Sequence, residues 1–384
     1  MTYYLLPRND VSLYKNINIK SCNDDLPTSI ISDSLSSYLY EIKQKIDKQV
    51  KDWDIFKKFT NPYEYINTIV PFSKKCVSKN KYLSRSYFKM IEIIHTFDIL
   101  FDVVRPITSF HLAEGPGGFI EALVDMRQCI NDTYIGMTIL EDMNDPNIPG
   151  WKKSTSFLKK NKNVSIEYGI DNTGDILSLA NFAYCATKYA SSIELITADG
   201  GFDFSLDFNK QEINMAKLLF AQICFAVTMQ KKNGCFVLKI FDCFMEHTVD
   251  LLYLLSSFYE KTYIFKPNTS RYANSEKYIV CKGFVHENNH RFYNHLYTAF
   301  ENMASLETEY IRRFLKCPIS YYFIIKLEEY NAIFGEKQID NIQYTLSLIE
   351  HKNKQDKINI LINTNIQKCI NWCVKYNIEY NTFL

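Results

Sequence analysis

The chain has 384 residues, 47% of them hydrophobic and 23% charged, with a formal net charge of +1. That balance suits a soluble globular protein with a large core, and it offers no overall basic footprint, so any nucleic-acid surface must be local. The N-terminal run MTYYLLPRND lacks the apolar core of a signal peptide. The longest uncharged apolar stretch, 218–230, is short of the ~20 residues that span a bilayer. Eleven scattered cysteines without a CxxC pair read as reduced core thiols, so a soluble intracellular protein is expected.

Residues 1–80 are polar and lysine-rich, and LSSYLYEIKQKIDKQVKDWDIFKKF carries helical periodicity, which predicts a helical N-terminal extension. Residues 81–290 alternate short apolar β-rich runs with amphipathic helical segments. The first strand is SFHLAE, ended by GPGG and followed by the helix FIEALVDMRQCI. YIGMTI and VSIEYG are the second and third strands. SIELITAD is the fourth, and the helix KQEINMAKLLFAQICFAVTMQ follows it. GCFVLKIF is the fifth, then comes the helix MEHTVDLLYLLSSFY, and TYIFKP and EKYIVCKGF close the set. This alternation predicts a parallel sheet covered on both faces. The last two strands are linked too tightly for a crossover helix, so the final one is expected to run antiparallel. Residues 291–384 return to helical patterning in YTLSLIEHKNKQDKINILI and IQKCINWCVKYNI.

Ligands of such sheets bind beyond the carboxyl ends of the strands. Gly115, Pro116, Gly117, Gly118 and Phe119 form the turn after the first strand, where missing side chains let a ligand approach the backbone. A plain strand-to-helix turn has the same pattern. The dinucleotide fingerprint GxGxxG is absent, which argues against a nicotinamide enzyme. Glu141, Asp142 and Asp145 follow the second strand as acceptors for a ribose diol, or as solvated loop charges. Asp175 in DNTGDI follows the third, as an acceptor for an adenine amino group or as part of a capped turn. Asp199 ends the fourth strand, and Lys239 stands out of character in the apolar fifth, where a lysine needs a partner. Glu276 opens the last strand. His286, His290 and His295 read as a polar helix face rather than a metal site.

Together, HLAEGPGGF, TADGGF, VLKIFD and SRYANSEKYIVCKGF resemble the FtsJ/RrmJ-type RNA ribose 2′-O-methyltransferases. The likeness is greatest to the branch that modifies the first transcribed nucleotide of capped mRNA, which includes enzymes of large DNA viruses. The resemblance spans about residues 60–285. It implies an α/β, Rossmann-like S-adenosylmethionine-dependent methyltransferase fold: a mostly parallel seven-stranded sheet with an antiparallel final strand, plus helical N- and C-terminal additions. The family carries a Lys-Asp-Lys-Glu tetrad. Asp199, Lys239 and Glu276 match its last three members, Lys89 in LSRSYFKMIEII fits the first, and NPYEYI resembles a segment upstream of it. The resemblance implies S-adenosylmethionine as cofactor, held by Gly115–Phe119, Glu141, Asp175 and Asp199, with no metal. It further implies that Lys239 takes the 2′-hydroxyl proton while Lys89 orients the hydroxyl and Asp199 and Glu276 fix both ammonium groups.

Capped single-stranded mRNA is the implied substrate, with Phe202, Asp207, Phe208, Arg271, Asn274 and Ser275 beside the reacting nucleotide and the cap. Other capping or transcription proteins are the implied partners. The location is the cytoplasm for a viral protein and the nucleus for a cellular one. His111 stands where many relatives have an acidic residue, and Glu114 where they have a small one; both bear on how the methionine part of the cofactor is held. Two other readings stay open: a ribosomal RNA 2′-O-methyltransferase, and an RNA-binding module without activity.

Overall fold

The computed structural model describes residues 3–23, 31–99, 104–140, 150–201 and 210–383. Glu141, Asp142, Asp145, Phe202, Asp207 and Phe208 therefore lie outside the described residues. In chain order the strands are β1 (Tyr3–Leu6), β2 (Ile17–Cys22), β3 (Thr108–Leu112), β4 (Thr133–Met137) and β5 (Val164–Ile166). They continue with β6 (Ile193–Ala198), β7 (Gln230–Ile240), β8 (Tyr259–Phe265), β9 (Lys277–Phe284) and β10 (Tyr310–Leu315).

An eight-stranded sheet runs β1-β8-β9-β7-β6-β3-β4-β5, and β10 pairs separately with β2. The pairs β3–β4, β4–β5, β3–β6 and β6–β7 are parallel. β9 runs antiparallel between β7 and β8, as the short connection from β8 to β9 requires. From β3 the chain moves outward through β4 and β5, then returns to β6 on the other side. The carboxyl ends of β3 and β6 thus flank the point where strand order reverses, where a crevice forms.

Side chains alternate across the central strands. Phe110, Leu112, Ile196, Phe236, Leu238 and Ile279 enter one apolar layer. Leu195, Val237, Tyr134, Tyr278 and Val280 enter the other. The helix Ala216–Met229 is buried at every position but Lys217, which explains why its sequence is apolar all round. No described helix is long and apolar enough to cross a membrane.

The sheet has one strand beyond the seven expected. β1 comes from the N-terminal region read as helical, which does hold the helices Asp33–Asp47 and Val50–Thr60 but also β1 and β2. Four residues carry too little pattern to announce a strand. β1 is secured from outside, by Tyr4 stacked on Tyr330 at 4.6 Å and by the Tyr330 hydroxyl donating to Leu5 O at 2.8 Å. The C-terminal hundred residues likewise include β10 beside the helices Tyr321–Glu350 and Gln355–Lys375. Both tails join in one layer: Thr60 Oγ1 meets Thr345 Oγ1 at 2.7 Å, and Asn365 Nδ2 donates to Phe59 O at 2.7 Å.

Candidate active site

Asp199 follows β6 directly, Lys239 sits one residue before the end of β7, and Glu276 immediately precedes β9. Adjacent strands therefore deliver three charged groups to one end of the sheet. Lys89 arrives from the helix Ser86–Phe97. Its Nζ lies 2.7 Å from Glu276 Oε1, while Lys239 Nζ lies 2.6 Å from Asp199 O and 3.4 Å from Asp199 Oδ1. The Tyr278 hydroxyl donates to Asp199 Oδ1 at 2.8 Å, and the Tyr278 ring lies 6.0 Å from Lys89 Nζ, so one aromatic side chain spans both ion pairs. The four tetrad side chains are only 11–14% exposed, largely withdrawn from bulk water. Burial alone would raise the Glu276 carboxyl, but the charges of Lys89 and Lys239 outweigh it and bring it down to about 2, so it stays an anion. All four sequence-derived tetrad positions are thus brought together.

The neighbourhood of Lys89 shows why. Arg85, Lys89 and Glu92 are spaced four and three residues apart and share one face of their helix. Arg85 Nε and Nη2 donate to Thr269 O at 3.0 and 2.8 Å, and Glu92 accepts from the N–H groups of Asn268 and Thr269 at 2.9 and 2.8 Å. The segment leading into β9 is thereby clamped to the helix. Glu64, fully buried within NPYEYI, ties the same segment to the N-terminal region: Arg271 Nη2 reaches its Oε1 at 2.8 Å and Arg85 Nη1 its Oε2 at 2.7 Å. Lys266, just after β8, donates to Asn274 O (2.6 Å), Asn274 Oδ1 (3.0 Å) and Glu276 O (2.9 Å). Burial and the nearby Lys277 charge push its ammonium down to about 7. Ser270 Oγ donates to Glu276 Oε1 at 2.8 Å.

Glu64, Arg85, Glu92, Lys266, Ser270 and Tyr278 were not singled out from the sequence. Glu92 in MIEII and Lys266 in TYIFKP did carry a signal, the same charge within an apolar run that marked Lys239.

Gly117 has φ +102°, a conformation that favours glycine, as the chain turns from β3 into the helix Gly118–Arg127. The Gly115–Pro116 peptide is cis, and a Cβ on Gly115 would stand 2.7 Å from Gly150 O. Phe119 buries its ring in the core, and its N–H donates to Glu114 Oε1 at 2.6 Å. Glu114 Oε2 is buried with no partner among the described residues. Burial and the Asp199 charge hold the Glu114 carboxyl well above the usual range. His111 is fully buried, its ring nitrogens 2.8 Å from Ser109 Oγ and 2.7 Å from Thr197 Oγ1. These bonds occupy both nitrogens, and burial pushes the ring down to about 3, so His111 is a neutral element of the sheet. Asp175 Oδ1 accepts from Leu177 N at 2.8 Å, the capped-turn geometry, with the side chain still partly exposed.

Arg271, Asn274 and Ser275 stand beside the tetrad, but each has protein partners. Arg271 is spent on Glu64, Asn274 accepts from Lys266, and Ser275 Oγ lies 3.2 Å from Gln211 Oε1. Together they line a cavity of about 190 Å³ with Lys43, Trp53, Lys57 and Asn61 from the N-terminal region, Phe241 after β7, and Gln338 and Asn341 from the helix Tyr321–Glu350.

Residues 82–284 match the FtsJ-like methyltransferase family. Among curated relatives, cap-specific mRNA (nucleoside-2′-O-)-methyltransferase 1 of Trypanosoma brucei brucei is 42% identical over 120 residues, which are 31% of this chain and 32% of that one. Cap-specific mRNA (nucleoside-2′-O-)-methyltransferase 2 of Danio rerio is 30% identical over 351 residues, covering 82% of this chain and 43% of that one. The human methyltransferase 1 of the same name is 33% identical over 243 residues, 58% of this chain and 27% of that one. The chain thus spans less than half the length of these relatives. The family match covers more than half of the chain and encloses every tetrad residue, and the chain belongs to the FtsJ-like methyltransferases.

Proposed function

We propose that the protein transfers a methyl group from S-adenosylmethionine to the ribose 2′-hydroxyl of the first transcribed nucleotide of capped mRNA. The observation that carries this reading is the paired Lys89–Glu276 and Lys239–Asp199 cluster at the switch point, next to a cavity that both chain tails help to build. The site suits this cofactor: a turn at Gly115–Gly118 in which only Pro116 carries a side chain, Asp199 at the next strand end, and a Glu114 carboxyl oxygen with no partner among the described residues.

When bound, S-adenosylmethionine supplies an electrophilic methyl on a positively charged sulfur. Lys239, which has to give up its own proton before it meets the substrate as a neutral amine, would then take the proton of the attacking 2′-hydroxyl. Lys89 holds the hydroxyl in line and favours the alkoxide as it forms, while Glu276 and Asp199 fix the two lysine side chains. Proton transfer of this kind is worth on the order of 10²–10⁴ in rate, and positioning supplies more.

The cavity favours a capped end over internal RNA. Trp53 and Phe241 line it as rings for a base. The amides of Asn61, Asn274, Gln338 and Asn341 and the ammonium groups of Lys43 and Lys57 line it as polar groups that a nucleotide would share with their present partners, Glu64, Lys266, Ala273 O, Thr60 O, Asp242 and Asp54. Such work belongs where transcripts are capped, in a nucleus or in the cytoplasmic factory of a virus, alongside other capping proteins. The test is transfer from labelled S-adenosylmethionine to short capped and uncapped RNAs, with nuclease mapping of the label. Label on the first 2′-oxygen of capped RNA alone, lost in Lys239→Ala with cofactor binding retained, is expected. Label on uncapped structured RNA would move the protein to the ribosomal-RNA class. No label, with S-adenosylmethionine binding also absent, would leave an RNA-binding module without activity.

A further inference from the structure

Glu114 is 3% exposed and sits at the turn from β3 into the helix Gly118–Arg127. One carboxyl oxygen caps that helix through Phe119 N at 2.6 Å; the other is buried with no partner among the described residues. An ionised carboxylate sealed from water without full compensation is costly. Among the described residues, the charged and titratable groups whose fields reach it are Asp199 after β6, Lys239 in β7, Lys89 on the helix Ser86–Phe97 and Tyr278 in β9. Before substrate binds, while Lys239 still holds its proton, the four tetrad charges cancel formally as two ammonium groups and two carboxylates. A cationic ligand entering this enclosed space therefore brings positive charge that the tetrad does not offset.

Resting on the methyltransferase reading above, we propose that Glu114 is a positioning residue that supplies this missing negative charge, giving up a proton as the sulfonium of S-adenosylmethionine binds. The sulfonium is the relevant cation because Glu114 is grouped with the tetrad, where a methyl donor has to lie for in-line attack. Burial and Asp199 both favour the protonated carboxyl in the free protein, and nearby positive charge favours the carboxylate, so the bound cofactor shifts the balance toward ionisation. After transfer the sulfur is neutral, the reason to stay ionised is gone, and Glu114 takes a proton back from solvent. The reaction thus leaves the site ready to release S-adenosylhomocysteine.

Calorimetric titration of the full chain, in two buffers of different ionisation enthalpy near neutral pH, tests this. Wild type is expected to release on the order of one proton per S-adenosylmethionine and to bind it more tightly as pH rises. S-adenosylhomocysteine, without the sulfonium charge, is expected to release far less. Glu114→Gln keeps an acceptor for Phe119 N but cannot ionise. It is expected to lose the proton release and bind S-adenosylmethionine roughly 10- to 100-fold more weakly, with the product little affected. Glu114→Asp is expected to restore part of the release, and thermal melting of each variant reports folding.

Equal proton release with both ligands would overturn the proposal, as would wild-type binding without release or a Glu114→Gln protein that matches wild type. The wild-type comparison of the two ligands decides the matter even where a variant does not fold. Failure of wild type to bind S-adenosylmethionine at all would instead remove the methyltransferase reading, and this inference with it.

Discussion

Glu64→Gln isolates the device that positions the segment presenting Glu276. The substitution preserves shape but leaves Arg85 and Arg271 without their counter-charge. Removing one partner of a buried ion pair costs about 3–5 kcal/mol. Glu64 is 0% exposed, but the two arginine side chains are 21% and 38% exposed and can turn partly to water. The lower end, about 3 kcal/mol, is therefore expected. For a chain of 384 residues, unfolding entropies near 2.1 cal/mol/K per residue translate this into a fall in Tm of about 4 °C. Activity should fall further than stability, because Arg271 lies five residues before Glu276 in the segment that presents it. A displacement of about 1 Å there is worth up to ~10²-fold in rate.

The same substitution has a pH signature. Burial would raise the Glu64 carboxyl, but the Arg271 and Arg85 hydrogen bonds and charges outweigh it and hold it well below the usual carboxylate range. The stability it contributes is present above the ordinary carboxylate pKa and is lost as pH falls through the lowered one. Wild type and Glu64→Gln should therefore converge under acid, below about pH 4. Thermal melts from pH 3 to 8 and steady-state methyl transfer give the readouts, with Lys352→Ala as a surface control whose exposed pair with Asp52 is worth little. A Tm loss under about 1 °C, or one that is constant with pH, would refute the argument.

Three further outcomes are expected. Lys266→Met removes three hydrogen bonds to Asn274 and Glu276 and should lower kcat. With the ammonium pushed down to about 7, wild-type stability should rise between pH 7 and 10, since the unfolded chain keeps the proton there, and the variant should lose that rise in denaturant titrations. Gly174→Ala places a Cβ against Thr138 O at φ +67°, where the segments that follow β4 and β5 meet through Leu140 N donating to Thr173 O. A loss of about 2 kcal/mol or more is expected by denaturation, together with weaker S-adenosylmethionine binding; a neutral result would mean the turn relaxes freely. Tyr278→Phe loses the 2.8 Å bond to Asp199 and should cost roughly 1–3 kcal/mol in kcat/KM, carried by kcat, while an effect on KM alone would argue that the hydroxyl serves binding.

Much was legible in the sequence because it is written locally. Alternating apolar runs and helices over 81–290 impose a covered parallel sheet, and the short link into EKYIVCKGF forces β9 to run backward. Lys239 announced itself as a lysine that an apolar strand cannot tolerate unpaired, and its motif context named Asp199, Glu276 and Lys89. What tertiary structure decided are the partners of charges far apart in the chain. Nothing local ties Glu64 to Arg271, or Glu92 to Thr269; only the fold removes water from both and makes pairing obligatory. For the same reason Arg271, legible as an RNA contact, is held by Glu64, and His111, legible as a change in the cofactor site, is closed off by Ser109 and Thr197. β1 and β10 escaped notice because short edge strands draw their stability from what covers them, which periodicity does not record. The cavity beside the tetrad belongs to neither tail alone; it exists because packing brings Trp53, Asn274 and Gln338 to one place.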